Sequence, residues 1–297
     1  MVQSENGRIV ASGGMALRTA FVGLGNIGAP MAHRLAAASP QTMIYDAVPA
    51  AMTQFDGTAV AADSLAEIGA SADLVGVCVR DDADVHAVIA GADGLLGTMR
   101  GGVIAIHSTV RPSTVVDLAD RAADHGVALI DAAVSGGADG AAKGALTAMV
   151  GGDADAIARA RPLLDAYCSD VIHAGGIGAG MALKLCNNLA TYVELSAALE
   201  AYRLADALGL DHTLLTSVMT NNGNLTPAMR QFTGFRRIGA EQIGSDAFLA
   251  TQKALVILGE KDLALASEAA AETGTPVPVA EYVQSHFSQI VMEGLEP

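Results

Sequence analysis

"TAFVGLGNIGAPMAHRL", residues 19–35, decides the fold. It opens as an apolar run, breaks at Gly23, Gly25 and Gly28, and resumes with the spacing of a helix. A strand that runs through a glycine turn into a helix is the first unit of a nucleotide-binding α/β sheet. The turn Gly23-Leu24-Gly25-Asn26-Ile27-Gly28 fits the pattern G-x-G-x-x-G. The first glycine permits the tight turn, the second lets a pyrophosphate approach the backbone, and the third lets helix and strand pack closely. The helix start then offers free N–H groups and the positive end of its dipole. A glycine turn with an ordinary helix cap would look the same in isolation.

The next strand, "TMIYD" at 42–46, ends in Asp46, 18 positions beyond Gly28. That is close to the spacing of an acidic residue that accepts hydrogen bonds from the adenosine ribose. A carboxylate there repels a 2′-phosphate, so NAD is expected over NADP. Further strands are expected at 19–23, 73–79, 103–107, 128–134 and 146–152, with Ala-rich helical stretches at 112–124 and 153–166 between some of them. Apolar strands alternating with helices predict a mostly parallel, doubly wound sheet covered on both faces, with mixed pairing open to the later strands.

After residue 175 the texture changes. "GGIGAGMALKLCNNLATYVELSAALEAYRLADALGL", from Gly175 to Leu210, opens with glycines and then runs helical, with apolar residues on nearly every face. This predicts a long, buried interdomain helix leading into an all-α domain. The expected organisation is a mobile tail at 1–16, with Met15 as an alternative start, a Rossmann-type domain at 17–175 and a helical substrate and oligomerisation domain at 176–297.

The chain is 51% hydrophobic, lacks Trp, and carries a formal net charge of −15. The acidity argues against nucleic acid and against an anionic membrane surface. The three cysteines, Cys78, Cys168 and Cys186, are scattered and form no C-x-x-C. With no signal-peptide core near the start, this fits a reducing, cytoplasmic setting without a metal site.

Three further stretches carry chemistry. "HSTVRPST" (107–114) ends a strand, where ligands of doubly wound sheets bind. Ser108 and Thr109 either meet the cofactor there or cap a helix ahead of Pro112. In "DAAVSGGADGAAKGALTAMVGG" (131–152), Ser135-Gly136-Gly137 offers a hydroxyl and close-set N–H groups, a nest for a carboxylate or simply a glycine-rich turn. In "GIGAGMALKLCNNL" (176–189), Lys184 and Asn188 share a helical face. Lys184 sits among Met181, Ala182, Leu183 and Leu185, and desolvation eases its loss of charge. That suits a general acid/base for an alcohol, although a lysine snorkelling from a buried helix is the alternative.

Together "GLGNIGAPMAHRL", "DAAVSGG", "GIGAGMALKLCNNL" and "KDLALA" (261–266) give the sequence a strong resemblance, over about residues 17–292, to the β-hydroxyacid dehydrogenase family of 3-hydroxyisobutyrate dehydrogenase-like enzymes. The resemblance implies a Rossmann domain, a helical domain and an active site in the cleft between them. It implies Lys184 as the catalytic residue, Asn188 as holding substrate or orienting Lys184, and Ser135, Gly136 and Gly137 as holding the substrate carboxylate. Thr109 and Lys261 match cofactor-contacting positions, Asp262 a residue supporting Lys261, and Val79 and Arg80 the loop after the strand at 73–79. Two features depart from the family pattern. Val79-Arg80 stands where "LP" or "VP" is common, and Ala254, after Lys253, stands where many members have Phe, which implies a wider pocket.

The function expected is NAD-dependent oxidation of a 3-hydroxy acid to a semialdehyde or 3-oxo acid, or the reverse. Oxidative decarboxylation of a larger hydroxy acid is the nearest alternative, and a non-catalytic NAD-binding protein a more distant one. A homodimer or homotetramer is expected, partly because the apolar helix at 178–208 could pack across an interface. Arg230, Arg236, Arg237, Lys253 and Lys261 are candidates to meet a second anionic group, or are surface charge.

Overall fold

The computed structural model describes residues 17–233 and 245–295. The tail at 1–16 and the candidates Arg236 and Arg237 lie outside the described residues. One sheet of eight strands has the order β3-β2-β1-β4-β5-β6-β7-β8. The strands are β1 Thr19–Val22, β2 Met43–Tyr45, β3 Val60–Ala61, β4 Leu74–Val77, β5 Val103–Ile106, β6 Ala128–Ser135, β7 Leu146–Gly151 and β8 Cys168–Gly175. The first six in this order run parallel from β3 to β6, β6 pairs antiparallel with β7, and β7 pairs parallel with β8.

The helices of this unit are α1 Gly28–Ala38, α2 Leu65–Ser71, α3 Asp82–Ala90, α4 Pro112–Ala123, α5 Gly137–Lys143 and α6 Ala154–Leu164. Alternation along the strands feeds two cores, because successive side chains point to opposite faces. Phe21, Leu74, Ile130 and Val150 pack with Met31 and Leu35 of α1 and Ile157 and Leu163 of α6. Ala20, Val22, Val77, Ile104 and Ile106 pack with Ile68, Val85, Ile89, Val115 and Leu118 of α2, α3 and α4.

Two strands escape the sequence reading. β3 has two residues, both exposed, and β8 is an edge strand whose Ser169, Asp170 and His173 leave no clean apolar alternation. The stretch from Ser135-Gly136-Gly137 onward is more than a glycine-rich turn. It contains the short helix α5, entered at Gly136 (φ +128°) and left through left-handed Gly144 (φ +67°).

At the heart of the sheet unit His107 is buried with Tyr167. His107 Nδ1 lies 2.7 Å from the Ala132 carbonyl and Nε2 lies 2.8 Å from the Tyr167 hydroxyl. A carbonyl only accepts, so Nδ1 carries the hydrogen and Tyr167 donates to Nε2. Phe21 stacks on the imidazole at 5.9 Å between ring centroids.

The chain divides into two compact units, one reaching Lys184 and one beginning at Leu185. The division falls inside α7, Ala179–Ala207, because Met181 still belongs to the core of the sheet unit. The second unit adds α8 His212–Asn221, α9 Pro227–Thr233, α10 Asp246–Thr273 and α11 Pro278–Met292. Tyr192, Leu195 and Leu199 of α7 form its core with Val256 and Leu263 of α10 and Phe287 and Ile290 of α11.

Helix α7 is buried unevenly. It buries one stripe, through Met181, Lys184, Leu185, Asn188, Tyr192 and Leu195, while Leu183 and Leu204 remain 38% and 62% exposed. Among the described residues, none fully covers these apolar side chains on its other face. Among the described residues no helix is long and apolar enough to cross a membrane.

Candidate active site

The glycine turn lies where β1 gives way to α1, beside the point where the strand order reverses from β1 to β4. Gly23 (φ +92°) has no room for a side chain, because a Cβ would run into the Cys78 carbonyl and, at 2.9 Å, Val79 Cγ1. Gly28 is equally closed, by the Gly23 carbonyl. Gly25 differs: a Cβ there would meet nothing within 4 Å. Packing therefore explains two of the three glycines. The third leaves open space above a backbone that leads into an α1 start with no side-chain cap. That is a cradle suited to a diphosphate.

Asp46 lies just beyond β2. Its Oδ2 accepts from Leu24 N–H at 2.7 Å and its Oδ1 from Val48 N–H at 2.8 Å. The carboxylate is thereby tied to the glycine turn. The segment that follows, Ala47-Val48-Pro49-Ala50, contains no cation. The open glycine turn, the free helix start and the carboxylate beside them fit the diphosphate and adenosine ribose of a dinucleotide.

The loop after β4 is tied down as well. Ser108 Oγ accepts from Val79 N–H at 2.8 Å, joining the ends of β4 and β5. Ser108 thus acts at least as a clip between two loops. Thr109 follows it, half-buried. Arg80 points outward and pairs with Asp84 at 2.6 Å. Burial pushes the Cys78 and Cys168 thiols up to about 12, so neither supplies a thiolate nucleophile near neutral pH.

Ser135 ends β6, and Gly136 and Gly137 follow with φ of +128° and +65°. Lys184 is 9% exposed and Asn188 5%, one turn apart on the buried stripe of α7. In the helical unit, Asp262 Oδ2 accepts from Asn188 Nδ2 at 2.6 Å and from the Tyr192 hydroxyl at 3.2 Å. Lys261 Nζ stands 2.9 Å from Asp262 Oδ1, an ion-pair distance, yet Oδ1 is buried without a hydrogen bond. The contact is an ion pair without a hydrogen bond. Burial and then the Asp262 charge hold the Tyr192 phenol well above its usual range.

The structure thus brings Gly23–Gly28 together with Asp46 and Val79, and Asn188 with Asp262 and Lys261. Tyr192 was missed in the sequence, although 184, 188 and 192 are spaced by four and share one helical face. Ala254 and Lys253 are exposed on α10. Among the described residues no cluster of three or more His, Cys, Asp or Glu could hold a metal ion.

Two family models cover nearly all of the chain. Residues 18–176 match the NAD-binding domain of 6-phosphogluconate dehydrogenase. Residues 178–296 match the NAD-binding model of NADP-dependent 3-hydroxyisobutyrate dehydrogenase. An uncharacterised oxidoreductase of Mycobacterium tuberculosis is 39% identical over 89% of this chain and 90% of its own length. An NAD-dependent L-serine dehydrogenase of Pseudomonas aeruginosa is 34% identical over 93% and 92%. Among solved structures, a 3-hydroxyisobutyrate dehydrogenase of M. tuberculosis with L-serine superposes with a TM-score of 0.79 at 31% identity, covering 94% of this chain and 95% of that one.

Proposed function

The chain belongs to the β-hydroxyacid dehydrogenase family, an NAD(P)-dependent oxidoreductase acting on CH–OH groups, and from that premise we propose that it oxidises a 3-hydroxy acid with Lys184 as general base. The observation that carries this reading is a lysine and an asparagine buried one turn apart on the same face of α7. An acid/base on a rigid helix, shielded from water, is what proton exchange with a carbinol needs. L-Serine and 3-hydroxyisobutyrate, named for the relatives, share a carboxylate with a hydroxyl on the third carbon, and this chain is assigned that class.

When bound, the nicotinamide supplies the hydride acceptor. Lys184 would accept the hydroxyl proton at Nζ in oxidation and return it in reduction. Ser135 Oγ and the N–H groups of Gly136 and Gly137 hold the carboxylate. Asn188 steadies Lys184 from the next turn. NAD is favoured over NADP because the Asp46 carboxylate, held beside the glycine turn, would repel a 2′-phosphate, and residues 47–50 hold no cation to meet one. Ala254, where many members of the family have Phe, favours a longer or more polar acid than 3-hydroxyisobutyrate.

The helical unit also supports self-association into a homodimer or homotetramer. α8 has no buried residue, and Leu204, Leu208, Leu214 and Val218 are each more than half exposed. A second copy of the chain is the occupant of this face, since isologous pairing covers the same patch twice.

The test is NADH formation on a panel of 3-hydroxyisobutyrate, L-serine, glycerate, threonate and bulkier acids, with wild type and Lys184→Ala side by side. Lys184→Ala is expected to lose about 10²- to 10⁴-fold in kcat. Undiminished turnover in that variant would refute the assignment, and release of carbon dioxide would redirect it to oxidative decarboxylation.

A further inference from the structure

Helix α7 starts in an unusual way. The residues before and at its start, Gly175-Gly176-Ile177-Gly178-Ala179-Gly180, carry no polar side chain that could cap it. A long helix with an uncapped, buried start leaves N–H donors unsatisfied. The cap comes from another element. Asp131 of β6 has no solvent exposure. Its Oδ1 accepts from Gly178 N–H at 2.8 Å and its Oδ2 from Met181 N–H at 2.7 Å. A negative charge at this end also complements the helix dipole.

The joint is tight. A Cβ on Gly151 of β7 would stand 2.5 Å from Asp131 Oδ1 and 2.6 Å from the Gly176 carbonyl. A Cβ on Gly180 would stand 2.8 Å from Asp131 Oδ2 and would strike the Met149 carbonyl. Two glycines on facing elements thus let the helix start seat against the strands with the carboxylate between them. Asp131 pairs in register with Ile106, the last residue of β5, so α7 begins level with the carboxyl end of the parallel sheet. Ser135 lies four residues further along β6 on the same face as Asp131, about 13 Å on. Lys184 lies three residues beyond Met181, about 4.5 Å along the helix axis.

We propose that Asp131 is a positioning residue for the reaction: by clamping the first turn of α7 onto β6, it sets the placement of Lys184 relative to a substrate held at Ser135 on that same strand. The inference rests on Lys184 being the acid/base. A carboxylate buried away from water is costly to keep. Burial raises the Asp131 carboxyl above the usual range, and the N–H groups of Gly178, Met181, Asp131 and Gly180 pull it back only in part. What the clamp provides is geometry, because one strand carries both the substrate's anchor and the catalytic helix's cap.

Asp131→Asn keeps the shape but sets an amide N–H against a backbone N–H. It should lower kcat by about 10²-fold through misplacement of the lysine, while the KM for NAD stays within about twofold of wild type. NADH binding stoichiometry counts the folded molecules against which kcat is normalised. If Asp131→Asn yields too little folded chain, Asp131→Ser, which accepts one N–H without repulsion, is measured instead. The deciding readout is the double variant with Lys184→Ala. Residues acting through one group are non-additive, so the double variant should turn over no more slowly than Lys184→Ala alone. Wild-type kcat in the Asp131 variant, or losses that multiply, overturns the inference while leaving Lys184 in place. Full activity in Lys184→Ala alone overturns both.

Discussion

Acidification should weaken the sheet unit through a single buried imidazole. The burial of His107 lowers it from 6.5 to about 4, against a smaller opposing pull from the Ala132 carbonyl. The native state therefore holds it neutral, with Nδ1–H on Ala132 and Nε2 accepting from Tyr167. A group depressed on folding contributes stability above its unfolded value and loses it as pH falls. Between about pH 6.5 and 4 the unfolded chain takes up a proton that the native chain refuses. The loss comes to about 2 kcal/mol at about pH 5 and about 3 kcal/mol at about pH 4, at 1.36 kcal/mol for each pKa unit.

Asp131, raised on folding, acts in the opposite sense, since the native state binds its proton first. That contribution is common to wild type and to His107→Gln, so the difference between the two isolates His107. The assay is hydrogen exchange at β5 and β6 amides across this pH range, because a chain with two compact units need not unfold in one transition. Wild type should lose about 3 kcal/mol more protection than His107→Gln on going to about pH 4. Parallel curves for the two proteins would refute the reasoning.

Gly25→Ala should leave the melting temperature unchanged, because a Cβ there meets nothing, while NAD binding by fluorescence titration weakens at least tenfold, or about 1.4 kcal/mol. Gly28→Ala should lower both, since its Cβ lands on the Gly23 carbonyl. Asp46→Ser should weaken NAD and improve NADP, narrowing the preference measured as a ratio of kcat/KM values, and an unchanged ratio would remove Asp46 from the discrimination. Light scattering should report a dimer or tetramer, and Leu214→Glu with Val218→Glu should reduce its mass, because both side chains are more than half exposed on α8.

Much of the molecule is local, and local features are legible in a linear chain. The strand–glycine–helix unit at 19–35 follows from periodicity and from steric needs that a turn imposes on neighbouring residues. The link from Asp46 to Leu24 spans only 22 positions and rides on a βαβ unit of standard length. Lys184 and Asn188 are related by helical spacing alone. β8 stayed hidden because an exposed edge strand carries no apolar alternation to read, and α5 because glycines obscure a short helix.

Only the tertiary structure joins Asp131 to Gly178 and Met181, 47 and 50 residues away, and Tyr167 to His107, 60 residues away. Such contacts depend on which strands become neighbours and in what register. Periodicity sets the face a residue occupies within its own element, whereas the partner across the gap is set by crossovers that no local pattern encodes. The buried side of α7 shows the same division. Its hydrophobic residues appear on nearly every face of the sequence, and only packing against the two cores selects the stripe that carries Lys184, Asn188 and Tyr192 inward.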